Sequence, residues 1–243
     1  MNLSEFFHSS FVNRHSSING MDKPASLYQS SVGQKVLVAL TGLFLCTFLV
    51  VHLSGNLLLF KQDGGRAFDG YSEFMSTNLG IRFMEFVLAA GFLGHILLGI
   101  RVWMYNRRCR PESYVMSRPS QNSSLAARVM FVTGSVVFVF LVVHLKTFFV
   151  PSRFAGNIKP SMYRLVSTAF ADPVYAGFYL VSLALMGYHL RHGFQSAFQT
   201  LGLRPHRRTL IDYVAMIFWL FIPAGFAAMP VYFLWAAHWA RAR

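Results

Sequence analysis

Five long apolar runs, separated by short polar and charged stretches, set the pattern of this chain; they cover residues 33–60, 80–107, 124–150, 173–199 and 209–239. At 1.5 Å rise per residue, a helix of each run crosses a hydrocarbon core of about 30 Å. No ten-residue alternation of barrel strands appears, and lipid cannot satisfy an open backbone polar group. The predicted fold is therefore all-α, with five transmembrane helices. Residues 1–30 lack the basic start, short apolar centre and small-residue cleavage site of a secretory signal and are expected to form a polar cytoplasmic tail. Residues 31–243 then make up the membrane domain. In the fifth span Pro223 and Pro230 predict kinks, and Trp235 and Trp239 are expected at the outer headgroup level.

Composition sharpens this picture. Hydrophobic residues make up 54% of the chain and mean hydropathy is +0.43, more apolar surface than a soluble domain of this length buries. A formal charge of +13 would suit a nucleic-acid binder, but the Lys and Arg residues fall almost wholly between the apolar runs, so no nucleic acid is expected. Arg107, Arg108, Arg110 and Arg118 follow the second span, and Arg204, Arg207 and Arg208 precede the fifth, which makes both loops cytoplasmic. The opposite loops also hold Lys61, Arg66, Arg153, Lys159 and Arg164, offset by Asp63, Asp69, Glu73 and Asp172. The expected topology is N-terminus in, C-terminus out. Cys46 in an apolar run and Cys109 in a basic loop suggest neither a disulfide nor a metal-binding pair.

The chemistry of the chain lies in its histidines. His52, His95, His144 and His189 fall one in each of the first four spans, where an ionisable group is costly and normally has a specific partner. One such residue is more often a helix-to-helix hydrogen-bonding group than a ligand; four in succession need a joint explanation. Thr41-Gly42, five residues, then Phe48-Leu49-Val50-Val51-His52-Leu53 recurs as Thr133-Gly134, five residues, then Phe140-Leu141-Val142-Val143-His144-Leu145. A weaker pattern, His followed four residues on by Gly, links His95 and Gly99 to His189 and Gly193. The unit is a helix pair used twice. His52 and His144 lie near the outer ends of outward-running helices, whereas His95 and His189 lie deeper towards the cytoplasm on inward-running ones. First therefore pairs with third, and second with fourth.

Two facing neutral imidazoles suit bis-histidine ligation of haem iron inside a bundle. Zinc would want further nitrogen, sulfur or carboxylate ligands at each level, and these spans offer almost none. Glycines 42, 91, 94, 99, 134, 187 and 193 would let a flat macrocycle approach the backbone, although close helix packing explains such glycines equally well. Haem propionates want cationic partners: Lys35, Arg101, Arg128 and Arg191 flank the inner layer, and Lys146 and Arg82 the outer. Snorkelling to headgroups is the competing account of each. Glu85, well inside the second span with Arg82 one turn away, is a candidate proton or quinone group or a structural ion pair; Asp69 and Glu73 in the outer loop are further candidates.

With these residues in view, the chain resembles the cytochrome b membrane anchor of di-haem succinate dehydrogenases and fumarate reductases, the type with a single five-helix anchor subunit. The resemblance covers most of the chain. It rests on Ser31-Val32-Gly33-Gln34-Lys35, Thr41-Gly42-Leu43-Phe44 and His52-Leu53-Ser54-Gly55-Asn56, then Gly94-His95 and Gly99, then Val143-His144. It continues through Asp172-Pro173 and Gly177-Phe178-Tyr179 to Tyr188-His189 and Gly193. It implies a di-haem four-helix core closed by a fifth helix, with His52 and His144 as axial ligands of an outer haem b and His95 and His189 of an inner one. It also implies separate flavoprotein and iron–sulfur subunits, electron transfer to a quinone, usually menaquinone, and residence in the bacterial inner membrane. His189 rather than His192 matches the family's fourth ligand, leaving His192 as a propionate or interfacial neighbour. Some related fumarate reductases carry a glutamate two residues before that ligand, proposed as a transmembrane proton carrier; here the position is Gly187, which puts that route in doubt. Two rival readings share the intramembrane histidines: a di-haem anchor of another quinone-linked enzyme, such as a hydrogenase or formate dehydrogenase, and a haem-free transporter or proton channel.

Overall fold

The computed structural model describes residues 30–108, 125–154, 160–203 and 208–241, and these form nine α-helical segments with no strand among them. The first span is α1 (Ser31–Asn56), extended by a 3-10 turn (Leu57–Phe60), and the second is α3 (Leu79–Arg108). The third begins as α4 (Leu125–His144) and passes through a π-turn (Leu145–Phe149) into α5 (Val150–Phe154). The fourth is α7 (Pro173–Thr200), and the fifth runs from α8 (Arg208–Met216) through a second π-turn (Ile217–Phe221) into α9 (Ile222–Arg241). All five are long and apolar enough to cross a membrane, as the hydropathy pattern predicts. Residues 1–29 and the basic positions Arg110, Arg118, Arg204 and Arg207, like Cys109 and Lys159, lie outside the described residues.

Local sequence explains the boundaries. Asp172 caps α7, its Oδ1 accepting from the backbone N–H groups of Val174 and Tyr175, and Pro173 occupies the first helical position, where its missing N–H costs nothing. In the fifth span the chain remains helical through both prolines. Pro223 has no N–H to give the carbonyl of Trp219, four residues back, and the helix widens into the π-turn just before it. Pro230 sits inside α9, fully buried.

The sequence pattern gives no warning of two further helices, α2 (Arg66–Thr77) and α6 (Met162–Phe170), in the segments that follow the first and third spans. Phe68 of α2 and Val166 and Phe170 of α6 turn into an apolar cluster with Leu59, Phe148 and Tyr179. The two helices are tied together by Asp69, whose Oδ1 accepts from Tyr163 N–H at 2.8 Å. Gly64 and Gly65, both at positive φ, let the chain turn into α2; Gly65 lies directly under the Tyr163 ring. Asp63 closes the turn by accepting from the N–H groups of Gly65 and Ala67. A second apolar cluster, Cys46, Phe194, Ile211 and Ala215, holds α1, α7 and α8 at the opposite end.

The closest backbone approaches among the spans are α4 with α7 and α7 with α8 and α9. α1 and α3 reach their neighbours mainly through side chains, such as Phe44 of α1 over Gly91 of α3 and Leu53 of α1 against Gly225 of α9. The packing is therefore tight around α7 and looser about α1 and α3, which carry His52 and His95.

Candidate functional site

Four histidines meet in two pairs. His52 of α1 and His144 of α4 have ring centroids 5.8 Å apart with planes at 87°, and His95 of α3 and His189 of α7 stand 6.4 Å apart at 79°. These are the partnerships expected from depth alone. The pairs occupy different levels: Gly42 lies against the His95 ring, and His52 follows it by ten residues on one helix, a rise of about 15 Å. The Gly134 to His144 segment of α4 repeats the relation, since Gly134 lies against His189.

The internal repeat thus has a structural meaning that spacing alone does not reveal. Each Thr-Gly unit cradles a histidine of the His95–His189 pair on another helix, while the histidine ten residues later belongs to the His52–His144 pair. A Cβ on Gly42 would come 3.1 Å from His95 Cε1, and one on Gly134 would come 3.2 Å from His189 Cε1. Only glycine leaves these ring edges free.

The Nδ1 atoms are held from behind. Thr41 Oγ1 lies 3.2 Å from His95 Nδ1 and 2.8 Å from the Leu37 carbonyl, so a hydroxyl donating to the carbonyl can accept from the ring. His144 Nδ1 lies 3.2 Å from the Tyr179 hydroxyl, which in turn accepts from Tyr175 at 3.1 Å. Asn56 Nδ2 donates to the His52 carbonyl at 2.7 Å and lies 3.5 Å from His52 Nδ1. His189 breaks the symmetry, because its Nδ1 is buried without a hydrogen-bond partner. Thr133, the repeat counterpart of Thr41, turns its hydroxyl to the Val129 and Met130 carbonyls instead. Aromatic rings pack the outer pair, with Phe48 stacked on His52 at 5.2 Å and Phe140 and Phe148 beside His144.

Each pair offers two imidazoles that could hold one haem iron between them, the ring centroids standing 5.8 Å apart in one pair and 6.4 Å in the other. At His95 and His144, a proton on Nδ1 facing the Thr41 and Tyr179 hydroxyls would leave Nε2 as the ligating nitrogen. A Cβ on Gly99, one turn past His95, meets no protein atom within 4 Å, so that side of the ligand is open. No group of three or more His, Cys, Asp or Glu side chains among the described residues could hold a bare metal ion.

The other predicted positions scatter. Lys35, Arg101 and Lys146 are exposed, and exposed Arg191 lies over the Trp219 ring at 5.2 Å. His192 is half-buried, and the Arg128 side chain lies outside the described residues. Asp69 is committed to Tyr163 and Glu73 is exposed. Arg82 does reach Glu85, at 3.7 Å, but the main partner of Glu85 is one that sequence reasoning placed in a loop, Arg153 at the end of the third span. The seven glycines separate by environment: Gly91 meets Phe44, Gly193 makes an ordinary contact with Met130, and Gly94 and Gly99 face open space. Gly187 serves helix packing, because its Cβ would fall 2.7 Å from the Trp219 carbonyl.

Tyr179, Thr41 and Asn56 are the functional candidates that sequence reasoning did not single out. All three lie in segments that carry the family resemblance, but their hydrogen bonds to the histidines need the fold. Comparison of the chain with protein-family models, with curated proteins and with solved structures finds no match.

Proposed function

We propose that this chain is the di-haem cytochrome b anchor of a succinate:quinone oxidoreductase, passing electrons between an iron–sulfur partner and a membrane quinone, with menaquinone the expected one. The observation that carries the reading is the meeting of four intramembrane histidines as two ring pairs at two depths. Haem iron, when bound, supplies a one-electron carrier at each level. The protein's part is to fix the ligands: with Nδ1 protonated, His95 and His144 would donate to the Thr41 and Tyr179 hydroxyls, which would keep the Nε2 lone pair available and the ring planes set.

In this reading His52 and His144 hold the outer haem and His95 and His189 the inner one. The basic inner loops face the cytoplasm, where a flavoprotein and an iron–sulfur subunit dock, and the membrane is the bacterial cytoplasmic membrane. The succinate chemistry belongs to those partners, because this chain carries no flavin or iron–sulfur motif.

Dithionite-reduced protein purified after haem-replete expression should show sharp b-type bands with about two haems per chain, and His52→Ala and His95→Ala should each lose one. Near-perpendicular ring planes further predict a strongly anisotropic low-spin ferric EPR signal. Colourless wild-type protein would end the haem reading and leave the haem-free transporter. Co-purification with a nickel or molybdenum subunit in place of a flavoprotein would move the anchor to another quinone-linked enzyme.

A further inference from the structure

At the outer ends of the second and third spans stands a charge cluster that the paired histidines do not use. Arg153 of α5 pairs through Nη2 with Glu85 of α3, and the same nitrogen lies 3.5 Å from the Met75 carbonyl of α2. The Arg153 side chain is only 10% exposed, and its Nε and Nη1 are buried with no hydrogen-bond partner among the described residues. Arg82 Nε lies 3.7 Å from the same Glu85. Two guanidinium groups thus share one carboxylate.

No other carboxylate of the described chain balances the second positive charge. Asp63 caps the turn into α2, Asp69 accepts from Tyr163, Asp172 caps α7, exposed Glu73 pairs with neither arginine, and neither does Asp212 on α8. Residues 155–159, which follow the third span, contain neither Asp nor Glu. An arginine with unsatisfied donors at membrane depth is expensive, because each buried N–H has lost its water.

The π-turn at Leu145–Phe149 is what brings Arg153 to this place. Nine residues at about 100° each would set it diametrically opposite His144 on the helix. Five π-residues, at roughly 82° each, take about 90° off that rotation and carry Arg153 round to face α3. A local departure from α-geometry at a functional level is a built feature.

We propose that Arg153 and Arg82, with Glu85 between them, form an oxyanion site at the outer membrane face, filled by a carboxylate or phosphate group from outside the polypeptide. Two sources share that chemistry: a propionate of the porphyrin held by His52 and His144, and the headgroup of an anionic phospholipid. The propionate source rests on the haem reading; the phospholipid source does not. Arg153 supplies the enclosed donors that a charged oxygen needs, Arg82 adds attraction from the more exposed side, and Glu85 holds both in place and limits the net charge to one.

The test compares the purified wild-type complex with Arg153→Gln and Glu85→Gln. Phosphatidylglycerol is added to delipidated protein and counted by native mass spectrometry, b-haem content is taken from the reduced spectrum, and the outer centre is titrated potentiometrically. With a phospholipid in the site, Arg153→Gln lowers retention about tenfold, Glu85→Gln raises it, and the potentials stay fixed. With a propionate in the site, retention stays fixed and the outer potential falls in Arg153→Gln by up to tenfold in its one-electron equilibrium, about 59 mV, and rises in Glu85→Gln. The opposite signs are the signature, since breaking a purely structural ion pair would disturb the protein in the same direction from either partner. Variants with unchanged haem, lipid and potential, or shifts of the same sign in both, overturn the site. If Arg153→Gln does not assemble, the more exposed Arg82→Gln replaces it, with smaller shifts in the same direction expected. Haem-free wild-type protein would end the haem reading and the propionate source while leaving the phospholipid arm to decide the site.

Discussion

On the di-haem reading, Gly42→Ala separates the centre proposed at His95, the inner one, from the helix that carries His52, proposed as a ligand of the outer one. The new Cβ would lie 3.1 Å from His95 Cε1 and 3.5 Å from Nδ1, against an ordinary carbon contact of about 3.5–4.0 Å, so the ring must give by a few tenths of an ångström. It cannot simply swing away, because the adjacent Thr41 holds Nδ1 at 3.2 Å. Overpacking of this size costs about 1–3 kcal/mol. If a third of about 2 kcal/mol falls differently on the two oxidation states, the inner potential moves by roughly 30 mV, taking a tenfold change as about 59 mV for one electron. The assay is a potentiometric titration followed in the b-type absorption bands, with Gly177→Ala as control, since a Cβ there meets nothing within 4 Å. Gly134→Ala, with 3.2 Å to His189, should move the same centre. A shift confined to the outer potential, or equal shifts in both, would refute the cradle and point to a general distortion of α1.

Three further substitutions follow, the first two on the same di-haem reading. Thr41→Val should weaken the inner centre and Tyr179→Phe the outer, each by about 10–100-fold in metal affinity, read as haem lost during dialysis against an apo-haem acceptor; equal loss from both centres in either variant would contradict the assignment. Gly187→Ala should destabilise the bundle without touching a ligand, because its Cβ would meet the backbone carbonyl of Trp219 at 2.7 Å; a loss of about 1–3 kcal/mol, or roughly 2–4 °C in thermal midpoint per kcal/mol, is expected, and an unchanged midpoint would show that the π-turn of the fifth span yields freely.

How much was legible in the sequence follows from how each feature is encoded. The five spans are written as mean hydropathy over some twenty residues, a signal that survives local irregularity, and their described ends fall within a few residues of the expected ones except at the third. There the apolar run ends at Val150 because Arg153 reads as a loop residue, whereas the helix continues to Phe154. A charged side chain can end a hydropathy window and still be buried, provided that a carboxylate on another helix receives it, and nothing local in the sequence announces Glu85 as that receiver. α2 and α6 escaped for a related reason, being too short to carry a periodic signal against the polar residues around them.

The histidine pairing was legible because it needs only depth and direction, and both follow from counting residues along helices of known rise. The partners of those histidines were not, because a hydrogen bond such as Tyr179 to His144 depends on rotation as well as depth. Rotation in the third span is altered by a π-turn that leaves no mark in hydropathy. Gly187 makes the same point from the other side. The space that a larger side chain at position 187 would need is filled by the α7 contact with the Trp219 carbonyl, which Pro223 leaves without its usual donor. Gly187 and Pro223 are thus two halves of one packing solution, and a side chain could stand at position 187 only if the fifth span moved away.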